Sequence, residues 1–236
     1  RDQIQSAARL FASNKTGSIL YGLETVAPDL RDNCVRGLVD LALVTGNLGK
    51  PSTGLYPLFP GANDQGSRDV GCSPTYLPGY SLVSDDQERN KFLEIWGAEE
   101  IPSTPGFSLT EVTEAIRRGQ IRALHIIGDS PNFTNGVLGD FLETVTSLEF
   151  LVVQDTFIGE LTCTADVVLP SATFAQKEGT NTNLERRVQL YTHALDITGE
   201  ERPDWEILTL IAKRMGDEGF EYSRPEDVFK EINKSV

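Results

Sequence analysis

Two short apolar runs near the middle of the chain limit its fold more than any other feature. Phe150 to Val153 is cut off by Gln154-Asp155, and Ala165 to Leu169 stops at Pro170. Short β-branched runs that end in polar or turn residues read as buried parallel strands. A third run, Ile121 to Ile127, stops at Gly128-Asp129-Ser130-Pro131-Asn132, and residues 137–146 between the runs have helical spacing. Strand, helix, strand, short connection, strand is an α/β alternation. It predicts a Rossmann-like parallel sheet with helices on both faces. In such sheets a ligand lies beyond the carboxyl ends of the strands. Gln154 and Asp155 are therefore candidate ligand contacts. Asp155 is of a type that accepts two N–H bonds from a guanine edge or two O–H bonds from a ribose. Gly128 lets a backbone approach a ligand closely, and the N–H groups after it can cradle a phosphate. The plainer alternative there is an ordinary strand-to-helix turn.

The rest of the chain can be arranged around that sheet. Residues 3–13 carry Ile4, Ala7, Ala8, Leu10 and Phe11 at helical spacing, and Ser18 to Tyr21 follows as a strand. A second helix begins at Asp29 and ends at Thr45-Gly46-Asn47, with Gly46 as a left-handed cap. Residues 1–50 thus read as the tail of an upstream α/β domain. Residues 46–82 are rich in Gly, Pro, Asn and Ser, which reads as a long functional loop or a linker. The expected division is 1–50, a crossing segment 51–84, and an α/β domain 85–236. Within that last part, 85–100 reads as a helix, and Ser108 with Glu111 forms a capping box ahead of Leu109–Arg118. Val188 to Tyr191 reads as an added edge strand. Asp204 is expected to cap a helix carrying Ile207, Leu208, Ile211 and Met215. Ser223 and Glu226 are expected to form a second capping box, with Pro225 in the first turn.

Composition narrows the function. A formal net charge of −14 over 236 residues repels nucleic acid and anionic lipid. No run of 18 apolar residues is present to span a membrane. Cys34, Cys72 and Cys163 are far apart, with no CxxC and no Cys/His cluster, so neither zinc nor an iron–sulfur cluster is signalled. Reduced thiols in a cytoplasmic protein are the expectation. There is no G-x-G-x-x-G, no P-loop and no G-x-S-x-G. A nicotinamide or flavin Rossmann domain is disfavoured by the missing glycines. The chain opens on Arg1 rather than Met, as a processed or partial chain would.

Four pieces in register carry a resemblance. They are V-Q-D-x-F (Val153–Phe157), A-D-V-V-L-P (Ala165–Pro170), E-G-T (Glu178–Thr180) and N-x-E-R-R-V-Q (Asn183–Gln189). Upstream stand T-G-N-x-G-K-P-x-T-G from Thr45, N-x-Q-G-x-x-D-x-G from Asn63, and P-G-Y from Pro78. Together they resemble the molybdopterin oxidoreductase family, whose members hold molybdenum or tungsten on molybdopterin guanine dinucleotide. The resemblance runs from about Gly17 to Asn233. It implies the fold of domains 1–3 of the formate dehydrogenase/DMSO reductase type, truncated here. It also implies cofactor contacts. The pterin would lie on Gly128, Asp129, Ser130 and Asn132. The guanosine end would lie at Gln154, Asp155 and Phe157. Gly179, Thr180, Asn183 and Arg187 of the E-G-T-x-x-N-x-E-R-R motif would lie by the same nucleotide, with Asn63 from the crossing segment. Arg186 or Arg187 suits a pyrophosphate bidentately, and a surface pair bridging to Glu185 or Glu178 explains them equally well. Asp166 is expected to be structural.

The chain departs from the family at several positions. Gly159-Glu160-Leu161-Thr162 stands where many relatives have T-E-T-A, so two hydroxyls are lost. Asn181 replaces an aromatic residue. Phe59-Pro60 aligns near an Arg of formate dehydrogenases, and Phe cannot orient a formate carboxylate. The sequence looks more like the G-type subunit of NADH–quinone oxidoreductases. Iron–sulfur clusters, the metal ligand and a C-terminal cap would lie outside these residues. The implied partners are the remaining domains of the same polypeptide and other subunits of a redox complex. The isolated chain is expected to hold no pterin, because a half-site must meet the full ordering cost. The alternative is a structural scaffold in a respiratory NADH dehydrogenase subunit that has lost the pterin.

Overall fold

A computed structural model describes residues 2–23, 25–58, 61–128 and 137–236. It divides into two compact units, Arg1–Gln65 with Thr182–Arg187, and Gly66–Asn181 with Val188–Val236. The first unit contains α1 (Asp2–Ala12), β1 (Ser18–Tyr21), α2 (Pro28–Val44) and β2 (Gly54–Pro57). β1 and β2 pair in parallel, from Ser18 opposite Gly54 to Tyr21 opposite Pro57. Gly46 takes φ 66° after α2, where a side chain would be strained. Asn47 is fully buried beside it. Its Oδ1 accepts the Gly17 N–H at 2.9 Å, and its Nδ2 donates to Thr45 Oγ1 at 2.9 Å. The T-G-N piece thus ends α2 and ties it to the chain that enters β1.

The Gly- and Pro-rich stretch is not plain loop. β2 lies in it, then α3 (Asp64–Asp69), then β3 (Tyr76–Leu77) and β4 (Ser81–Leu82), an antiparallel pair joined by a 3-10 turn at Pro78–Tyr80. Propensity hides these elements, because Gly54 and Pro57 sit inside β2 and pairing with β1 overrides them. α4 (Asp86–Trp96) follows. The Asp85 carboxylate accepts the N–H groups of Gln87 and Glu88, and Gly97 at φ 61° closes the helix. α5 (Leu109–Arg117) starts with the expected box: Ser108 N–H donates to Glu111 Oε2 at 2.7 Å, and Glu111 N–H to Ser108 Oγ at 3.4 Å.

The main sheet comprises β5 (Ala123–Ile127), β6 (Phe150–Asp155) and β7 (Val167–Pro170), in that order and parallel throughout. α6 (Val137–Val145) and α7 (Glu160–Thr164) make the crossovers. Leu151 and Val153 of β6 are 2% and 0% exposed and pack with Ile116, Phe141, Val145 and Leu161. Side chains alternate along a strand, so Gln154 faces away from that cluster. There it meets the start of α8 (Asp204–Arg214). Helices therefore flank both faces of β6. Asp166 is structural, accepting the Leu151 N–H at 2.7 Å.

Three expectations need correction. Val188–Tyr191 is β9, but it pairs with β8 (Gly179–Thr182) in a separate two-stranded sheet rather than edging the main one. Asp204 does not cap α8: Pro203 holds the capping position, and the Asp204 carboxylate takes bonds from three other side chains. At α9 (Pro225–Ser235) the acceptor is Asp227, one residue beyond Glu226. Its Oδ2 takes the N–H groups of Ser223 and Arg224 at 3.2 Å each. Leu151→Ala should lower the unfolding free energy by about 2–5 kcal/mol in urea titrations. A loss below about 1 kcal/mol would mean that β6 is not the centre of this core.

Candidate functional site

β6 ends in two polar residues that the surrounding fold keeps from water. Gln154 is 0% exposed and Asp155 9%. The Gln154 carbonyl accepts the Gly128 N–H at 2.8 Å, which draws the turn after β5 to the end of β6. The Asp155 carbonyl accepts the Ser171 N–H at 2.9 Å, which does the same for the chain after β7. Gly128 takes φ 78°, the left-handed region that favours glycine, and among the described residues no atom lies within 4 Å of where a Cβ would stand.

The Asp155 carboxylate is half committed. Its Oδ1 accepts the N–H groups of Thr156 and Phe157, the latter at 3.0 Å. Its Oδ2 is buried and has no partner among the described residues. Gln154 shows the same pattern. Nε2 donates to Asp204 Oδ1 at 2.8 Å, and Oε1 is buried without a partner among the described residues. A carboxylate can only accept, so the bond to Asp204 fixes which end of the amide is the nitrogen. Two buried acceptors without partners at one strand end are unusual in a folded protein.

Asp204 gathers this end of the sheet. Its Oδ1 also accepts the Ser171 hydroxyl, and its Oδ2 pairs with Lys177 Nζ at 2.5 Å. Burial, the largest single influence, disfavours the charge; the bonds from Lys177, Ser171 and Gln154 outweigh it and hold the carboxyl below its usual range. Sequence spacing does not bring these residues together. Asp204 reads locally as a helix cap, and Ser171 and Lys177 carry no signal of their own.

The other expected contacts are dispersed. Asp129, Ser130 and Asn132 lie outside the described residues, as do Phe59 and Pro60. Phe157 is 77% exposed beside Asp155. Gly179 and Thr180 lie on β8, and a Cβ at Gly179 would stand 3.1 Å from the Tyr191 hydroxyl oxygen, so glycine there makes room for a neighbour in the hairpin. In the first unit, Asn63 Oδ1 accepts the Thr182 N–H at 2.8 Å. Asn183 Oδ1 accepts the N–H groups of Glu185 and Arg187 at 2.9 Å each and so shapes the turn. Arg186 in that turn takes φ 61°. Arg187 is exposed. Cys34, Cys72 and Cys163 are free and exposed, and no group of metal-ligating side chains occurs among the described residues.

A sequence profile of molybdopterin oxidoreductases matches residues 7–214. The chain belongs to the molybdopterin oxidoreductase family. It is 34% identical to formate dehydrogenase H of Escherichia coli over 98% of its length, covering 32% of that protein. It is 36% identical to the F420-dependent formate dehydrogenase 2 subunit alpha of Methanococcus maripaludis over 100% of its length, covering 34% of that protein. The chain thus spans about a third of the length of these curated relatives. Acetylene hydratase from Pelobacter acetylenicus superposes with a TM-score of 0.67 over 95% of the chain and 33% of that protein, at 15% identity, which shows a shared fold.

The two buried acceptors limit what this strand end can take. A buried acceptor oxygen fits a base edge that presents N–H donors, as guanine does. It does not fit a phosphate, which would repel the carboxylate. The Leu161 departure has a packing reason, since Leu161 is 1% exposed inside the core cluster. Thr162 is also engaged, its Oγ1 accepting the Gly159 N–H at 2.8 Å.

Asp204 gives the site a pH dependence. Its folded pKa is depressed below the ordinary aspartate value. Its stabilisation is therefore complete above the unfolded value and is lost as pH falls through the folded one. The difference in urea midpoint between wild type and Asp204→Asn should be constant from pH 7 to about 5 and close below that. A difference that grows on acidification would show that the carboxylate is not held ionised.

Proposed function

We propose that the chain is a cofactor-binding portion of a formate dehydrogenase-like molybdopterin oxidoreductase. In this reading it holds the guanosine end of molybdopterin guanine dinucleotide at the carboxyl end of the β5–β6–β7 sheet. The observation that carries it is Asp155 Oδ2, a buried acceptor with no partner among the described residues, at the strand end where α/β sheets take ligands. Asp155 would accept the guanine N–H groups. The Gly128 turn, with Asp129, Ser130 and Asn132, would lie along the pterin and its phosphates. Gln154 would back Asp155 from the opposite face of β6, and Phe157 would cover the outer side. Gly179 and Thr180 of β8 are further candidate contacts. Asn63, Asn183 and Arg187 form a separate candidate contact on the first unit, with Arg187 supplying the charge for a pyrophosphate.

The bound cofactor, through its molybdenum or tungsten, supplies two-electron redox chemistry. The work of these residues is to bind it, orient it and exclude water from its nucleotide end. Iron–sulfur clusters that carry the electrons onward, and the substrate site, would belong to other parts of the same polypeptide or to partner subunits. The names of the matched relatives support formate chemistry over the NADH–quinone oxidoreductase reading. Among the described residues no helix is long and apolar enough to cross a membrane. We place the protein in the cytoplasm on its composition.

The test is nucleotide and metal analysis of the full-length protein, produced in a host that makes the cofactor. GMP released by acid hydrolysis, together with molybdenum or tungsten, is expected. Asp155→Ala should lower the released GMP per chain by roughly tenfold, the scale of one bond to a buried charged acceptor. Wild-type protein that folds and joins its redox partners without any pterin would favour the scaffold alternative instead.

A further inference from the structure

We infer that Asp204 is a positioning residue for the nucleotide corner: through Gln154, Ser171 and Lys177 it holds the ends of β6 and β7 so that Asp155 and the Gly128 turn are presented to the ligand. This rests on the cofactor-binding reading above and deepens it.

The geometry points that way through a double use of two residues. Gln154 and Ser171 both bond Asp204 Oδ1 with their side chains. The same two residues secure the candidate contacts with their main chains. The Gln154 carbonyl takes the Gly128 N–H at 2.8 Å, and the Ser171 N–H bonds the Asp155 carbonyl at 2.9 Å. Both of these main-chain bonds are thus one step from the Asp204 carboxylate. Lys177 completes the arrangement. It pairs with the other oxygen at 2.5 Å and directly precedes Glu178-Gly179-Thr180, so the same carboxylate also anchors the approach to β8.

The chemistry gives the arrangement a direction. Gln154 can turn its amide either way in an unbiased site, and only one way leaves an acceptor free. Asp204 takes the Nε2 end, so Oε1 is the atom left without a partner. Lys177 and Asp204 are 25% and 32% exposed, too sheltered for water to replace either partner at no cost. Loss of the carboxylate leaves a sheltered ammonium, frees the amide to rotate and unpins Ser171. The Asp155 carboxylate would then sample positions in which its Oδ2 no longer meets a base.

The experiment uses the full-length holoprotein. Ser171→Ala, Asp204→Asn, Lys177→Met and Lys177→Arg are compared with wild type and with Asp155→Ala. Two quantities are read: GMP retained per chain after a fixed dialysis, and the Tm of the cofactor-free protein. Ser171→Ala and Asp204→Asn should release the nucleotide about tenfold faster than wild type, with the Ser171→Ala Tm nearly unchanged. Lys177→Arg should retain it better than Lys177→Met, because a guanidinium keeps the ion pair. The double variant Ser171→Ala/Asp204→Asn should be no worse than the poorer single one, since both act through one network. Retention equal to wild type in both single variants, alongside loss in Asp155→Ala, would overturn this inference and leave the cofactor reading standing. Retention that falls only in proportion to Tm would also overturn it, by reducing Asp204 to a folding role. Full retention in Asp155→Ala would instead remove the reading on which it rests. If Asp204→Asn fails to fold, Ser171→Ala decides the matter, because it removes a bond without stranding a charge.

Discussion

The structure depends on how β6 changes character along its length. Leu151 and Val153 bury their apolar side chains, Val153 wholly excluded from solvent, and this supplies the free energy that holds α5, α6 and α7 to the sheet. The last two residues of β6 are polar yet equally sheltered. A buried amide and a buried carboxylate are costly unless bonded. The fold meets part of that need from within, with Asp204 on one face and the N–H groups of Thr156 and Phe157 on the other. It leaves one oxygen of each residue without a partner. A sheltered polar end on an apolar strand gives a corner that is fixed in place by the core itself.

That arrangement accounts for the way the family relation is expressed. Acetylene hydratase shares the fold at 15% identity under a different named activity, so the fold alone does not assign the reaction. The likeness to the formate dehydrogenases is denser, at 34% and 36% identity over nearly the whole chain. Where the chain departs from the family pattern, packing explains part of the difference. Leu161 contributes to the cluster around Val153, and Thr162 caps its own short helix.

Asn63 and Asn183 show the converse. The motifs mark both as cofactor contacts, and both have side-chain oxygens bonded to main-chain N–H groups of the β8–β9 hairpin. A side chain that builds the turn can still lie beside a ligand, but its own hydrogen-bonding capacity is then largely committed. The positive φ of Arg186 within the same turn is backbone strain of the kind that accompanies functional loops.

Much of this was legible in the sequence. The runs ending at Ile127, Val153 and Leu169 marked the three strands, because short β-branched runs cut off by polar or turn residues carry a local strand signal; the expected burial holds for β6 alone, since β5 and β7 have no buried residue. Ser108 with Glu111, and Gly46, marked helix ends, because capping depends on residues only a few positions apart. The strand-end location of Gln154 and Asp155 followed from the same local logic. The short strand β2 was hidden, since its glycine and proline argue against a strand and only pairing with β1 overrides them. The role of Asp204 was not legible at all. Its partners lie 50, 33 and 27 residues away, and no spacing rule reaches across that distance. Local sequence determined which elements form and where their polar ends fall. The packing of α8 against β6 and β7 decided which polar groups meet, because a hydrogen bond between elements depends on where those elements come to rest.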